Sequence, residues 1–461
     1  MKPMAIIEAK DPPARRPFPV LSARLRAWLA GDHGVARRMA GTAFAIRVAS
    51  SGVVFLSQIL LARWMGSFEF GIYVYVWTWL LLLGDLVHLG LPLAAQRHIP
   101  EYIHRNQLEL LRGYLIGSRW LTFGLGTAAA ILGAAIVHAC AGSLDRNMVV
   151  PFYLACVALP FYALSLMLDG VARAYNWIAI GLMPHSLLRP LLILGLIIGF
   201  GAAGLPINAM TTMLAIAIAI WVTTLGQLLV LDRKLGRLVA TGERAYDVKH
   251  WFAISLPLIA VWGVYTLLTT TDLIVLQLFR PSDEVAHYFA VSKTLTVGSI
   301  VYFAVMAAAA HRFAGYHAAG DREGLAAFAA MTIRWTFWPS LAVIVGLLIL
   351  GKPILWLFGP GFDSAYPVMF VLAIGLMARA AVGPAERLLM MVGQQYLCAL
   401  AYVVAFAVNL IGCFVLAKPY GGMGVAIATS AAFICESALL FLIAKRRLGI
   451  HLFIWRGPLR A

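Results

Sequence analysis

Apolar residues along this chain come in long blocks rather than in periodic stripes. A helix that crosses a bilayer needs about 20 consecutive, mostly apolar residues. Twelve such blocks are present, near 43–64, 72–94, 114–137, 149–171, 178–200, 206–231, 253–279, 286–310, 335–357, 366–390, 396–416 and 422–444. The connections between them are short, and no stretch remains for a separate soluble domain. Alternation with period two is absent, which argues against a membrane barrel. The pattern predicts an all-α polytopic membrane protein with about twelve transmembrane helices.

Composition agrees with this. Of 461 residues, 62% are hydrophobic and 12% are charged. Soluble domains average about a quarter charged residues, so soluble enzymes, nucleic-acid binders and disordered chains are excluded as the main reading. The charge is nonetheless lopsided, with 36 basic and 20 acidic residues and a net charge of +16. Cytoplasmic segments of membrane proteins concentrate Lys and Arg. With twelve spans, the N-terminal arm, five alternate loops and the C-terminus share one side, and that side holds 25 basic and 10 acidic residues. The opposite side has only Arg63, Arg146, Arg280, Lys352 and Lys418, balanced by Glu69, Asp145, Asp283, Glu284 and Asp363. Both termini are therefore expected in the cytoplasm, and the basic excess marks topology and the lipid surface.

The expected organisation is a basic arm (1–42), a first lobe of six helices (43–231), a cytoplasmic linker (232–252), a second lobe of six helices (253–444) and a basic tail (445–461). The arm has no signal-peptide pattern and is broken by Pro12, Pro13, Pro17 and Pro19. Within it, Leu21, Leu25, Trp28 and Leu29 share a helical face beside Arg24 and Arg26, which suits either a helix lying on the membrane or a disordered leader. Five cysteines show no CxxC spacing, so neither a metal site nor a disulfide framework is expected.

The two halves resemble each other. "LARWMGSFEFGIYVYV" joins the first two spans, and "LQLFRPSDEVAHYFAV" joins the seventh and eighth. A shift of 215 places Glu69 on Glu284 and Tyr73 on Tyr288; a shift of 213 places "DRKLG" after span six on "KRRLG" after span twelve. Asp169 falls on Glu386 at a shift of 217. Two six-helix repeats of the same orientation are related by an axis along the membrane normal, with a cavity expected between the lobes.

Several runs are similar to those of a known family. They are "LSQILLARWMGSFEFGIYVYV", "LGLPLAAQRHIPEY", "LLRPLLIL", "SLPLIAVWGVYTLLTTTDLIVLQLF" and "EVAHYFAVSK". Together they resemble the polysaccharide transporters, including Wzx-type oligosaccharide flippases, of the multidrug/oligosaccharidyl-lipid/polysaccharide exporter superfamily. The resemblance extends over roughly 40–445. It implies a V-shaped, two-lobed transporter in the bacterial inner membrane whose helices one, two, seven and eight line an alternating-access cavity. It also implies that the substrate is an undecaprenyl-diphosphate-linked oligosaccharide, moved for O-antigen or exopolysaccharide synthesis. The implied partners are this lipid, membrane lipids, and a polymerase and glycosyltransferases of the same pathway, with no nucleic acid.

Charges within a bilayer are costly and mark candidate sites. Arg47, Ser51, Val54 and Gln58 form a stripe along span one that suits an entering diphosphate, or Arg47 snorkels to lipid phosphates. Asp85 and His88 are i, i+3 neighbours, either a proton-sensitive pair or polar packing groups. Tyr265, Thr269 and Asp272 share a face of span seven. The resemblance makes Asp272 a coupling-cation candidate, and a structural cap is the alternative. Lys293, with Thr296 one turn on, supplies a mobile cation suited to diphosphate or an acidic sugar. Arg189, Arg379 and Glu386 complete the candidates; Arg379 and Glu386 are i, i+7 and suit a structural ion pair or interlobe contact better than substrate binding. Glu436 has no evident partner.

Gly199, Gly201 and Gly204 fit GxGxxG without a strand-helix unit, and Gly346, Gly351 and Lys352 begin a P-loop that Pro353 breaks. No nucleotide site, catalytic residue, metal or cofactor is expected; proton or sodium coupling stays open. A multidrug/cation antiporter is the nearest alternative. A membrane polymerase or glycosyltransferase is the enzymatic one, which the short external loops disfavour.

Overall fold

Helix starts and stops are set here by glycines and by side-chain caps more than by the ends of apolar runs. The computed structural model describes the backbone of residues 32–454 and the side chains of 49–454, apart from those of 300, 303, 307, 308, 310 and 311. The Arg47 side chain, the arm with its expected surface helix, and the tail beyond 454 lie outside the described residues. Residues Ile46–Ala461 form one compact unit.

The first half comprises α1 (Asp32–Val87), α2 (Leu91–His104), α3 (Leu108–Cys140), α4 (Arg146–Ala174), α5 (Ile178–Met183), α6 (Arg189–Ala202) and α7 (Ala209–Leu238). The second comprises α8 (Val248–Phe279), α9 (Ser282–Thr296), α10 (Ser299–Ala318), α11 (Arg322–Ile349), α12 (Gly351–Phe358), α13 (Tyr366–Val382), α14 (Ala385–Met391) and α15 (Gln395–Leu448). No strand occurs among the described residues, and every expected span falls largely on helix.

Nine stretches of the described residues are long and apolar enough to cross a membrane. Two of them hold two expected spans each, joined at Gly66 in α1 and Gly421 in α15, where the backbone leaves helical geometry. Both glycines have positive φ, a conformation other residues enter only with strain. The expected span at 286–310 is not one helix; it is divided between α9 and α10 at Val297 and Gly298. The expected span at 366–390 also divides, at Gly383 with φ 63°. The span at 72–94 stops at Val87, turns through Leu89 and Gly90, and continues as α2. Hydropathy reports apolarity, which continues across these breaks, whereas the backbone does not.

Within the first half, α3 packs on α4, α4 on α7 and α2 on α4; within the second, α8 and α13 both pack on α15. The halves meet where α2 lies against α8. There Gly90 faces the Ser255 carbonyl so closely that any Cβ would collide with it. The segment between α7 and α8 is strapped along α3. Arg112 Nε donates to the Ala240 carbonyl at 2.7 Å, and Ala245 N–H donates to the Glu109 carbonyl at 3.0 Å. Asp247 then caps α8 by accepting from His250 N–H at 3.1 Å.

The sequence repeat has a physical counterpart. Glu69 Oε2 accepts from Ala209 N–H, the first residue of α7, at 2.8 Å. Glu284 Oε1 accepts from Gly422 N–H, where α15 resumes after its kink, at 2.7 Å. Ala209 and Gly422 are 213 residues apart, the shift that aligns the basic motifs after spans six and twelve. A second pair repeats as well. Gln58 Nε2 donates to Tyr73 Oη at 3.1 Å, and Tyr288 Oη donates to Asp272 Oδ2 at 2.8 Å. Each half thus ties its first two spans together and pins the start of its sixth.

Glu69→Ala and Glu284→Ala each leave a helix-start amide without its acceptor. Each is expected to cost about 1 kcal/mol, read as a lower melting temperature of detergent-purified protein. The corresponding Gln variants keep an acceptor and should lose less. Equal losses for Ala and Gln would remove the capping role.

Candidate functional site

A cavity of about 360 Å³ lies among α1, α8, α9, α10, α11, α13 and α15. Its aromatic lining includes Trp77, Tyr265, Phe289, Tyr302 and Phe433. Its charged groups are Asp272, Lys293 and Arg379, with hydroxyls from Thr269, Thr296 and Thr429. Thr269 and Thr296 are exposed, whereas Asp272 is buried.

Asp272 sits about 10 Å along α8 from its end at Phe279. One carboxylate oxygen accepts from Tyr288 Oη and the other from Leu273 N–H, both at 2.8 Å. Next to Tyr288, Thr429 Oγ1 accepts from Asn409 Nδ2 at 3.1 Å. Asp272 is therefore held by α9 while its own helix packs on α15.

Lys293 lies three turns along α9, with Nζ 5.1 Å from the Phe289 ring centroid. Among the described residues no carboxylate lies within 4.0 Å of its Nζ. Arg379 is different. It pairs with Glu436 at 3.1 Å and lies over the Phe433 and Tyr265 rings at 4.7 and 5.6 Å. The shared face expected for Arg379 and Glu386 does not exist as one helix: Gly383 ends α13, and Glu386 belongs to α14. The partner of Arg379 comes instead from span twelve, and that also accounts for Glu436.

Other candidates lie elsewhere. Arg189 follows a π-helical turn at Pro184–Leu188 and is 4% exposed. It donates to Ser165 Oγ at 3.1 Å and to Thr223 Oγ1 at 3.4 Å, and stacks on Tyr162 at 5.5 Å. These contacts place it among α4, α6 and α7, outside the cavity. His88 Nδ1 accepts from Gly90 N–H at 3.1 Å and closes the turn before α2. Asp85 is half-buried, with no carboxylate–cation pair to His88 among the described residues. Gln58 is buried and bonded to Tyr73, and Ser51 is half-buried on α1. Trp77 and Tyr302 were not singled out from the sequence; an aromatic in an apolar run carries no local mark of facing a cavity.

The halves close against each other on the side opposite the basic loops. Ser67 Oγ donates to Asp283, and Gly71 faces the Ser282 backbone so closely that a Cβ would collide with it. Phe70 stacks edge-on with Phe289 at 5.9 Å and Phe362 at 6.3 Å. Phe55 meets Phe358 at 5.8 Å, and Arg63 lies 5.1 Å over the Trp356 ring.

Two outcomes follow from this geometry. Glu436→Gln strands a buried guanidinium and should destabilise the folded protein by about 3–5 kcal/mol, whereas the double variant Arg379→Met with Glu436→Leu should recover most of it. Recovery failing in the double variant would assign Arg379 a role beyond the pair. A cysteine pair at Ser67→Cys and Asp283→Cys should cross-link under mild oxidant, and adding Gly71→Val should abolish the cross-link by wedging the closure open. Cross-linking unchanged by Gly71→Val would show that this contact does not control the closure.

A family model described as "Polysaccharide biosynthesis protein" matches residues 39–311, more than half of the chain. Among curated proteins, no sequence matches. Solved structures share the fold at low identity. A multidrug resistance MATE family transporter of the MOP superfamily, inward-facing, superposes with a TM-score of 0.68 and 14% identity over 88% of this chain and 98% of its own. The lipid II flippase MurJ, inward closed, gives 0.68 and 15% over 87% of each chain. A MOP superfamily transporter from Pyrococcus furiosus gives 0.66 and 13% over 91% of this chain and 97% of its own. The long apolar helices and the family match lead to one conclusion: the chain is a multi-pass membrane protein that belongs to the polysaccharide biosynthesis protein family.

Proposed function

We propose that this protein is a transporter that moves an undecaprenyl-diphosphate-linked oligosaccharide unit across a bacterial cytoplasmic membrane for cell-surface polysaccharide synthesis. Its basic face is at the cytoplasm. The observation that carries this reading is Lys293, a cation without a carboxylate within 4.0 Å among the described residues, in a cavity rich in aromatics. Diphosphate oxygens suit such a cation, and sugar faces suit Trp77, Tyr265 and Tyr302. The shared fold with MurJ, a lipid II flippase, supports a lipid-linked cargo.

The cycle proposed is alternating access. Substrate enters with the Ser67–Asp283 side closed, and that contact separates to release it on the far side. Asp272 is the coupling group: a proton or sodium ion there competes with Lys293 for the carboxylate's field and alters its bond to Tyr288. Arg47 and Ser51 remain entry-side candidates on α1, and Thr296 a contact one turn from Lys293. A polymerase and glycosyltransferases of the same pathway are the partners, and the chain itself forms no glycosidic bond.

A multidrug/cation antiporter is the second reading, favoured by the aromatic lining and by Asp272. Lys293 opposes it, because a fixed cation repels organic cations.

The test is translocation of a fluorescent lipid-diphosphate oligosaccharide in proteoliposomes. Lys293→Ala should slow it by roughly tenfold to a hundredfold, the loss of one charge-assisted contact, and Lys293→Arg should retain more. Asp272→Asn should remove the dependence of rate on the proton or sodium gradient. Wild-type rates in Lys293→Ala, or cation efflux without lipid translocation, would overturn the flippase reading.

A further inference from the structure

A second cavity, of about 590 Å³, lies on the first half between α3, α4 and α7, away from the aromatic cavity. Its walls are apolar: Trp120, Phe123, Phe161, Leu164, Leu225 and Leu228. Its rim is cationic. Arg112, Arg119 and Arg244 line it against one acid, Asp232. Arg112 and Arg119 are i, i+7 on α3 and lie on one face, about 10 Å apart along the axis. The segment from Val239 to Gly242, held down by Arg112, closes the end of the groove next to the basic loops.

Arg119 is the unusual group. Its side chain is 11% exposed, and one guanidinium nitrogen pairs with Asp232 at 2.5 Å. Its Nε and Nη2 are buried with no acceptor among the described residues. Unmet donors of a buried guanidinium are expensive and favour an acceptor beside them. Asp232 offsets one of three positive charges, so the rim stays net cationic. Trp120, the next residue, is 71% exposed, as tryptophans at a membrane interface are. An apolar trough opening at a cationic rim at that level has the polarity of a phospholipid.

We propose that this groove binds one anionic diacyl phospholipid of the leaflet next to the basic loops. Its phosphate sits at Arg119 and Arg244, and an acyl chain runs along Phe123, Phe161 and Leu225. A modest turn of the Arg119 side chain from Asp232 brings its unmet donors onto phosphate oxygens. Occupancy would brace α3 against α7 and the strap that leads into α8, so the site is placed to set how the first half is held. The proposal does not depend on which cargo the aromatic cavity carries.

The test uses the full chain, purified in detergent, with bound lipid counted by native mass spectrometry after adding phosphatidylglycerol or phosphatidylcholine of identical acyl chains. Phosphatidylglycerol should be retained preferentially. Arg119→Gln should weaken its retention roughly fivefold, the worth of one arginine at an anionic lipid surface. Leu225→Trp, at a position 44% exposed and so tolerant of substitution, should weaken it as well by filling the trough. If Arg119→Gln fails to fold, Leu225→Trp decides. Equal retention of the two lipids, wild-type retention in folded variants, displacement of the lipid by inorganic phosphate, or a preference for undecaprenyl phosphate over phosphatidylglycerol would each overturn the proposal.

Discussion

One carboxylate in each half reaches across to the first amide of that half's sixth span, and much of the architecture follows from that bond. The first amides of a helix have no partner within it, so a partly buried helix start needs an acceptor from elsewhere in the protein. Glu69 supplies it for α7 and Glu284 for the second arm of α15. Because each glutamate follows the turn between the first two spans of its half, the bond ties the end of the hexad to its beginning. Asp145, Asp247 and Asp321 cap the starts of α4, α8 and α11 from within the same turn. A chain with so few acids spends many of them on helix ends, which leaves few for chemistry.

The duplication is not perfect, and the difference falls where the cavity lies. In the first half the second repeated bond joins Gln58 and Tyr73, both neutral. In the second half it joins Asp272 and Tyr288, with Lys293 on the same helix as the tyrosine. Nearby, Arg379 and Glu436 neutralise each other, so among the described residues Lys293 is the cavity cation that stays outside an ion pair within 4.0 Å. A repeat that keeps its geometry while one copy becomes ionisable gives one half a charge-sensitive element that the other lacks.

How much was legible depends on what each signal measures. Hydropathy located the long apolar helices, because apolar length is a local property of about 20 residues. It missed the breaks at Val297–Gly298 and at Gly383, since apolarity runs on across a helix break. The repeat was legible from the aligned glutamates and tyrosines, whose spacing is covalent. The partners of those residues were not, because Ala209 and Gly422 are backbone donors that any sequence would supply. Lys293 and Asp272 could be picked out as ionisable groups inside apolar runs. The pairing of Arg379 could not, since Glu436 is brought to it by packing of α13 on α15.

The sequence by itself determined that the chain is built of helices apolar enough to cross a membrane, that its halves repeat and which charges are costly. Those properties are sums over contiguous residues or comparisons of spacing. Only the tertiary structure decided which costly charges are spent on each other and which face a cavity. Arg189 and Lys293 look alike in the sequence as single cations in apolar spans. Arg189 is enclosed by Ser165, Thr223 and Tyr162, whereas Lys293 lines the aromatic cavity. The reason is geometric: which face of a helix meets a neighbour depends on helix rotation and on contacts between residues far apart in the chain, and no local pattern encodes either.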